Sequence, residues 1–525
     1  MIRRILIHVI RAISGFGFSA APPLLLLRRF LTWDSTIQSI HTFDLAEFHM
    51  GGNGASAPAQ TGGLRFKLSV MMFLQFFIWG AWFELNFGYL PSLGFNDTWQ
   101  QPMILGAFNL AALVAMFFST QFADRNFAAE KFLAFSHLIG GAAILGLFFV
   151  KAGWKTDLLG IHIDFSFWLF FFLMLVHSLF YVPTVSITNS IAFANLKDAQ
   201  RDFGFVRVWG TIGWIVASWP FIFILVNWAL VPEFGSVPFF DWLGTALGTA
   251  RTGDDFRLAS RYIFLVAGIA SFALAAFSLV LPHTPPKPVT AGADRFAWLE
   301  SMKLLLYPFV AVLFVVTFLD AAVHQSFFVW TERYLTGRIG IPSNWAMPVM
   351  KIGQIAEIVT MIFLGLVLKK LGWRWTMVLG ILGHAARFAV FAFAPKYLGG
   401  IETTFLHLSP LQWAAISINA VHGICYAFFF ATVYIFIDEF FPKDARASAQ
   451  GLFNMLILGA GPFVSNIVST QLGRIFKTSD AAGKETFDFP SIFLYPLVTA
   501  LAAALLLLLF FHPPKKKEPP TVVPG

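Results

Sequence analysis

One cysteine, Cys425, occurs among 525 residues, so no disulfide can form within the chain. It lies in an apolar run and reads as a small core residue. Charge is scarce as well. Asp, Glu, Lys and Arg make up 12% of the chain, about half of what a soluble protein carries. The sequence holds no metal-ligand cluster, no Gly-rich phosphate loop and no nucleophile elbow. These absences argue against an intramembrane enzyme. Neither a cofactor nor a metal is expected.

What is present instead is apolar sequence. Hydrophobic residues reach 57%, with 64 Phe and 17 Trp. A bilayer span needs ~20 mostly apolar residues. Twelve such runs can be counted, at roughly 68–92, 102–121, 131–150, 166–194, 204–228, 260–281, 303–330, 346–368, 374–394, 411–437, 449–472 and 489–511. The expected class is an all-α polytopic membrane protein. Its net charge of +8 then bears on orientation in the bilayer and does not imply nucleic-acid binding.

The Pro-rich stretch LPHTPPKPVTAGADRFAW, residues 281–298, divides the runs six and six. KDAQRDFGF begins at Lys197 and KDARASAQG at Lys443. STQFADRNF begins at Ser119 and aligns with GLVLKKLGW from Gly365. Both pairs share an offset of 246 residues, which argues for duplicated six-helix halves. The expected organisation is an N-terminal extension over 1–64, a first bundle over 65–285 and a linker over 286–302. A second bundle over 303–512 and a basic tail over 513–525 complete it. The extension is expected to be disordered or interfacial. The Lys/Arg bias of the loops, with KKK at 515–517, places both termini in the cytoplasm. The segment between spans five and six, 229–259, has no readable motif.

Polar groups inside spans are costly and tend to face a cavity or a partner. In VRVWGTIGW, the spacing of Arg207, Thr211 and Trp214 puts guanidinium, hydroxyl and indole on one helical face. Gly210 and Gly213 thin the adjacent face. The competing reading is that Arg207 snorkels to the surface. In KIGQIAEIV, Gln354 and Glu357 lie one turn apart. Glu357 is a carboxyl placed to gain and lose a proton; the competing reading is an ion pair with Lys351 or Arg387. His422 and Tyr426 share a face, as do Asp320 and His324, with Gln325 beside them. Glu84 and Asn86 stand in the first span. His137, His177 and His384 read as structural.

Several segments then resemble one family. They are FLQFFIWGAW (73–82), YVPTVSITNSIAF (181–193), VRVWGTIGW (206–214), GQIAEI (353–358), ARFAVFA (386–392), HGICYAFFF (422–430) and RASAQGLF (446–453). Together they resemble the nucleoside:proton symporter family of the major facilitator superfamily, in order, over about residues 66–512. The resemblance implies a major facilitator fold, 12 transmembrane helices in two six-helix bundles with one cavity between them. It implies proton-driven nucleoside uptake, with nucleoside, protons and the lipid bilayer as partners, by a monomer in the cell inner membrane. It carries substrate binding onto Arg207, Thr211, Trp214, Gln354, Glu357, His422 and Tyr426, and more loosely onto His324 and Gln325. Family members often place an Asp just after the span-ten aromatic, where this chain has Ala427. Glu84 is unusual for the family. The expectation is that Glu84 acts with Glu357 in proton coupling, standing in for that acid across the cavity. Two rival readings stay open: a facilitator carrying a sugar or other small polar solute, and a transport-dead membrane sensor.

Overall fold

The computed structural model describes residues 62–158, 161–197, 199–286, 302–441, 446–479 and 485–513. The expectations for the N-terminal extension, the central linker and the basic tail fall almost entirely outside these residues.

The described chain is nearly all helix. This follows from the apolar sequence, because a lipid-facing backbone must satisfy its hydrogen bonds within its own segment. The first half holds α1 (Gly62–Tyr89), α2 (Gln100–Asn126), α3 (Ala129–Leu147), α4 (Phe165–Asn195), α5 (Ala199–Val216) and α6 (Tyr262–Ser278). The second half holds α7 (Pro308–Tyr334), α8 (Ser343–Leu398), α9 (Pro410–Phe440), α10 (Ala449–Ile475) and α11 (Phe489–Phe510). Two short antiparallel strand pairs are also present among the described residues. One pairs Lys155–Leu158 with Ile161–Asp164, and the other pairs Lys477–Ser479 with Glu485–Phe487.

Ten helices among the described residues are long and apolar enough to cross a membrane. The sequence reading counts twelve. Two places account for the difference. The 27-residue helix α2 is not one of the ten. Helix α8 is one run of 56 residues, broken only at Gly372, where φ is 70° and ψ is 175°. Only glycine adopts that conformation readily, and it falls between the eighth and ninth expected spans.

Within the first half, α1 packs on α5 and α6, α3 on α4 and α6, and α2 on α4. Within the second, α7 packs on α10 and α11, and α8 on α9 and α11. Across the halves, α1 meets α7, α2 meets α10, and α5 meets α8.

Polar side chains fix several of these contacts. His137 on α3 bonds the side-chain Oε1 of Gln75 on α1 at 3.0 Å and Ser271 of α6 at 2.9 Å. Gln75 donates to Thr184 of α4 at 2.9 Å. His177 reaches the Gly140 carbonyl at 2.9 Å. The structural reading of His137 and His177 agrees with this geometry.

The segment between α5 and α6, motifless in the sequence, joins the halves. It contains helices Phe239–Gly248 and Gly253–Ala259. Asn344 and Trp345 of α8 donate to the Leu247 carbonyl at 3.1 and 3.0 Å, and Ser343 donates to that of Arg251 at 2.6 Å. Arg257 pairs with the buried Glu332 of α7 at 2.8 Å. Nearby, Arg333 donates to the Phe87 carbonyl. All of these ties lie at the end of the molecule where α1 finishes and α2 begins.

Candidate functional site

Between the halves lies a cavity of about 470 Å³, within the usual range for a small-molecule site. All nine residues assigned to substrate by the resemblance line it: Arg207, Thr211, Trp214, His324, Gln325, Gln354, Glu357, His422 and Tyr426. Helical periodicity explains this convergence within each element. What the sequence could not supply is the docking of α5, α7, α8 and α9 around one space.

Helix α5 delivers Arg207, Thr211 and Trp214 because it lies very close to α1. A Cβ at Gly80 would stand 2.9 Å from the Trp214 carbonyl, and one at Gly213 would collide with the Phe73 backbone. Both meetings are backbone against backbone, so no larger residue fits either position. The Arg207 guanidinium lies over the Phe76 ring, 4.1 Å from its centroid. Trp214 meets Trp79 edge to face at 5.3 Å.

The second half delivers Gln354 and Glu357 on α8, facing His422 and Tyr426 on α9. A Cβ at Gly423 would lie 2.5 Å from the Ala356 and Glu357 backbones, and one at Gly353 would lie 2.7 Å from the His422 Cβ. Residues Tyr426–Ala431 of α9 form a π-helix, a distortion that often accompanies functional sites. Arg207 and Glu357, from opposite halves, line the same space.

Several expectations change in detail. Glu84 does not line the cavity. It is fully buried and bonded to Lys351 of α8 at 2.7 Å, so it cannot reach substrate from across the space. The same bond removes Lys351 as a partner for Glu357. Arg387, the other suggested partner, instead contacts His422 and His384, at 2.8 and 2.9 Å. Gln325 reaches the wall, but its amide donates to Asn466 at 2.9 Å, which in turn bonds Asn109 of α2 at 2.9 Å. Part of its role is therefore to join α7, α10 and α2. Asp320 is fully buried beside His384, 3.6 Å from its ring nitrogen.

The sequence reading missed Asn109, Asn189, Tyr434 and Asn454 on the wall. Tyr434 donates to Asn454. Asn189 sits in YVPTVSITNSIAF, and an asparagine in that apolar run was the available signal. It is half-buried on the cavity wall, a position suited to a polar contact.

The aromatic residues Trp214 and Tyr426 offer flat apolar surface, while Arg207, Thr211, Gln354 and Glu357 offer both donors and acceptors. Such a lining suits a polar solute with a planar ring. Among the described residues, no group of three or more His, Cys, Asp or Glu side chains is arranged to hold a metal ion.

The nucleoside H+ symporter family model matches residues 63–241 and 242–516. The chain is 29% identical over 445 residues to the putative nucleoside transporter YegT of Escherichia coli K12, covering 82% of this chain and 90% of that protein. It is 26% identical over 418 residues to the xanthosine permease of the same organism, covering 77% and 86%. The crystal structure of the nucleoside transporter NupG superposes with a TM-score of 0.66 at 22% identity, covering 86% of this chain and 100% of that one. That of the D-xylose-proton symporter gives 0.59 at 12%, covering 87% and 100%. These two likenesses show the major facilitator fold. With the family match spanning nearly all of the described residues, this chain belongs to the nucleoside H+ symporter family.

Proposed function

We infer that this chain takes up nucleosides together with protons by alternating access, and that the cavity between its halves is the transport site. The observation that carries the reading is the convergence of Arg207, Thr211 and Trp214 from one half with Gln354, Glu357 and Tyr426 from the other. A solute held by both halves at once can couple its own binding to their rocking.

Glu357 is the proton carrier in this reading. Ionised, it competes with substrate for the Arg207 guanidinium. Protonated, it releases Arg207 to hydrogen-bond the nucleoside and can itself donate. Trp214 and Tyr426 lie against the base, where stacking contributes ~1–3 kcal/mol. Loss of the proton restores the Arg207–Glu357 attraction and expels the solute. Arg207 is tolerated within a span because it faces this polar space and lies over the Phe76 ring.

With both termini in the cytoplasm of a cell whose inner membrane holds the protein, the end tied by Arg257–Glu332 and the α5–α6 segment faces outward. The conformation is then sealed outside. The chain works as a monomer, since one chain supplies both walls.

The test is uptake of labelled uridine or adenosine into cells lacking their own carriers, with and without a protonophore. Accumulation that collapses with the protonophore is expected. Uptake indifferent to it removes proton coupling, and competition by a disaccharide in place of nucleosides removes the substrate class.

A further inference from the structure

Between Arg207 and Arg251 the chain carries no Lys or Arg. Residues 219–248 hold eight aromatic rings against two acids, Glu233 and Asp241. That is an unusual composition for a connection that stands in water. We propose that the α5–α6 segment, over residues 228–248, lies in the headgroup layer of the bilayer, held there by the rings of Phe234, Phe239 and Phe240. Its partner is lipid.

The segment is closed at its base. The Asn227 amide donates to the Thr249 carbonyl at 2.8 Å, and the Arg251 amide to that of Leu225 at 2.9 Å. One side is docked on protein. Ala246 is buried, and the Leu247 carbonyl accepts from Asn344 and Trp345 of α8. The other side displays Phe240, 81% exposed, and Phe234, 74% exposed, with Leu230 and Phe239 also exposed. These rings belong to one surface. Phe234 meets Trp242 edge to face at 5.1 Å, while Phe239 and Trp228 stack on Trp242 at 6.3 and 6.0 Å. A grouped apolar face of this kind marks an interaction site, whereas single exposed rings do not.

Continuity says what covers it. Trp228 donates to the Phe223 carbonyl at 3.2 Å. Phe223 and Trp219 are themselves exposed, on the short helix Trp219–Ile224 that finishes the fifth span. The outward face of that span meets acyl chains. The aromatic face of the segment therefore prolongs a surface that already belongs to lipid. A protein docked there would have to displace the lipid beside Trp219 and Phe223.

Polar groups set the depth. The indole of Trp242 donates to the Pro232 carbonyl at 3.0 Å, so neither it nor Trp228 brings an unpaired indole donor into apolar surroundings. Glu233 and Asp241 are exposed, and residues 231–238 are irregular backbone. The acyl core admits neither feature when it faces lipid. The remaining level is the headgroup layer, where aromatic rings collect. With no cation in the segment, attachment rests on apolar area and needs no anionic lipid. Because Leu247 also holds the first turn of α8, lipid fixes the level of a contact that joins the halves.

The experiment places a polar maleimide fluorophore at Phe240→Cys or Phe234→Cys in the full-length protein. Cys425 is buried, so the wild type is the blank. The protein sits in nanodiscs of phosphatidylcholine, with quencher supplied either as nitroxide on the lipid or as iodide in the water. Ile362→Cys, exposed on α8, gives the lipid reference, and Lys155→Cys, in the first strand pair, the aqueous one. At 240 and 234 the lipid nitroxide is expected to quench and iodide to quench much less than at 155. A nitroxide near the glycerol should act more strongly there than one near the chain end. Iodide quenching equal to that at 155, with none from lipid, overturns the proposal. Shielding from both quenchers puts protein over the face and overturns it too. Stronger quenching from the chain end removes the headgroup placement. Either position decides alone, so a variant that fails to insert leaves the other to judge.

Discussion

Lys351 of α8 reaches across the two halves to the Glu84 carboxylate of α1, 2.7 Å away, with both side chains shut off from solvent. Its ammonium also lies 4.2 Å from the centre of the Trp214 ring. One ion pair thus joins the halves and touches the cavity wall. Removing one partner strands a charge in a dry interface, at a cost of about 3–5 kcal/mol. Glu84→Gln and Lys351→Met should each lower the thermal unfolding midpoint of the purified protein, and the double variant should recover most of the loss. The same Glu84→Gln protein tests proton coupling. Uphill uptake equal to wild type would remove Glu84 from that role and leave it a clasp.

Glu357→Gln should abolish uptake that responds to a protonophore. Binding should survive, because a glutamine mimics the protonated carboxyl. Counterflow of labelled nucleoside, which needs no net proton movement, is the measurement that separates the two. Uphill accumulation by this variant at normal membrane abundance would displace Glu357 as the proton carrier. The wild-type rate should fall as external pH rises, since protons are a substrate.

Trp214→Ala removes a ring that meets Trp79, Phe83 and Phe328 as well as the cavity. Loss of base stacking of ~1–3 kcal/mol corresponds to a rise of about 5- to 150-fold in the half-saturating nucleoside concentration. Trp214→Phe should lose less. A kinetic constant unchanged in both variants would place the base elsewhere in the cavity.

Gly423→Val should disturb the site without touching substrate. A Cβ there stands 2.5 Å from the backbone of Ala356 and Glu357, and neither helix can yield locally. Overpacking of this kind costs about 1–3 kcal/mol or more. The expected outcome is a lowered unfolding midpoint together with weakened nucleoside binding, both read on the same preparation. Gly244→Ala, at a glycine with open space around it, serves as the control and should do neither.

Much of the site was legible in advance because helical period is a local property. Arg207, Thr211 and Trp214 had to share a face once they lay on one helix, and so did Gln354 with Glu357. The Glu84–Lys351 bond was not legible. It joins residues 267 apart in sequence, and nothing in either helix names the other. Glu84 therefore read as a cavity acid, when its depth and partner make it an interface group. Arg387 was misread for a related reason. It was offered as a partner for Glu357, and it bonds two imidazoles instead, His384 one turn away on its own helix and His422 of α9. The α5–α6 segment carried no periodic signal because its bonds across the halves use backbone carbonyls of the segment, which any residue can offer.

By itself the sequence determined that this is a helical membrane protein and which residues share a helix face. Hydrophobic length and the 3.6-residue period act within single segments, so no knowledge of packing was required. Only the tertiary structure decided which charges meet, which polar groups face the cavity and which end of it is tied shut. Those outcomes depend on how close two helices can come, and small residues such as Gly80, Gly213 and Gly423 act there only in combination with the surface that docks against them.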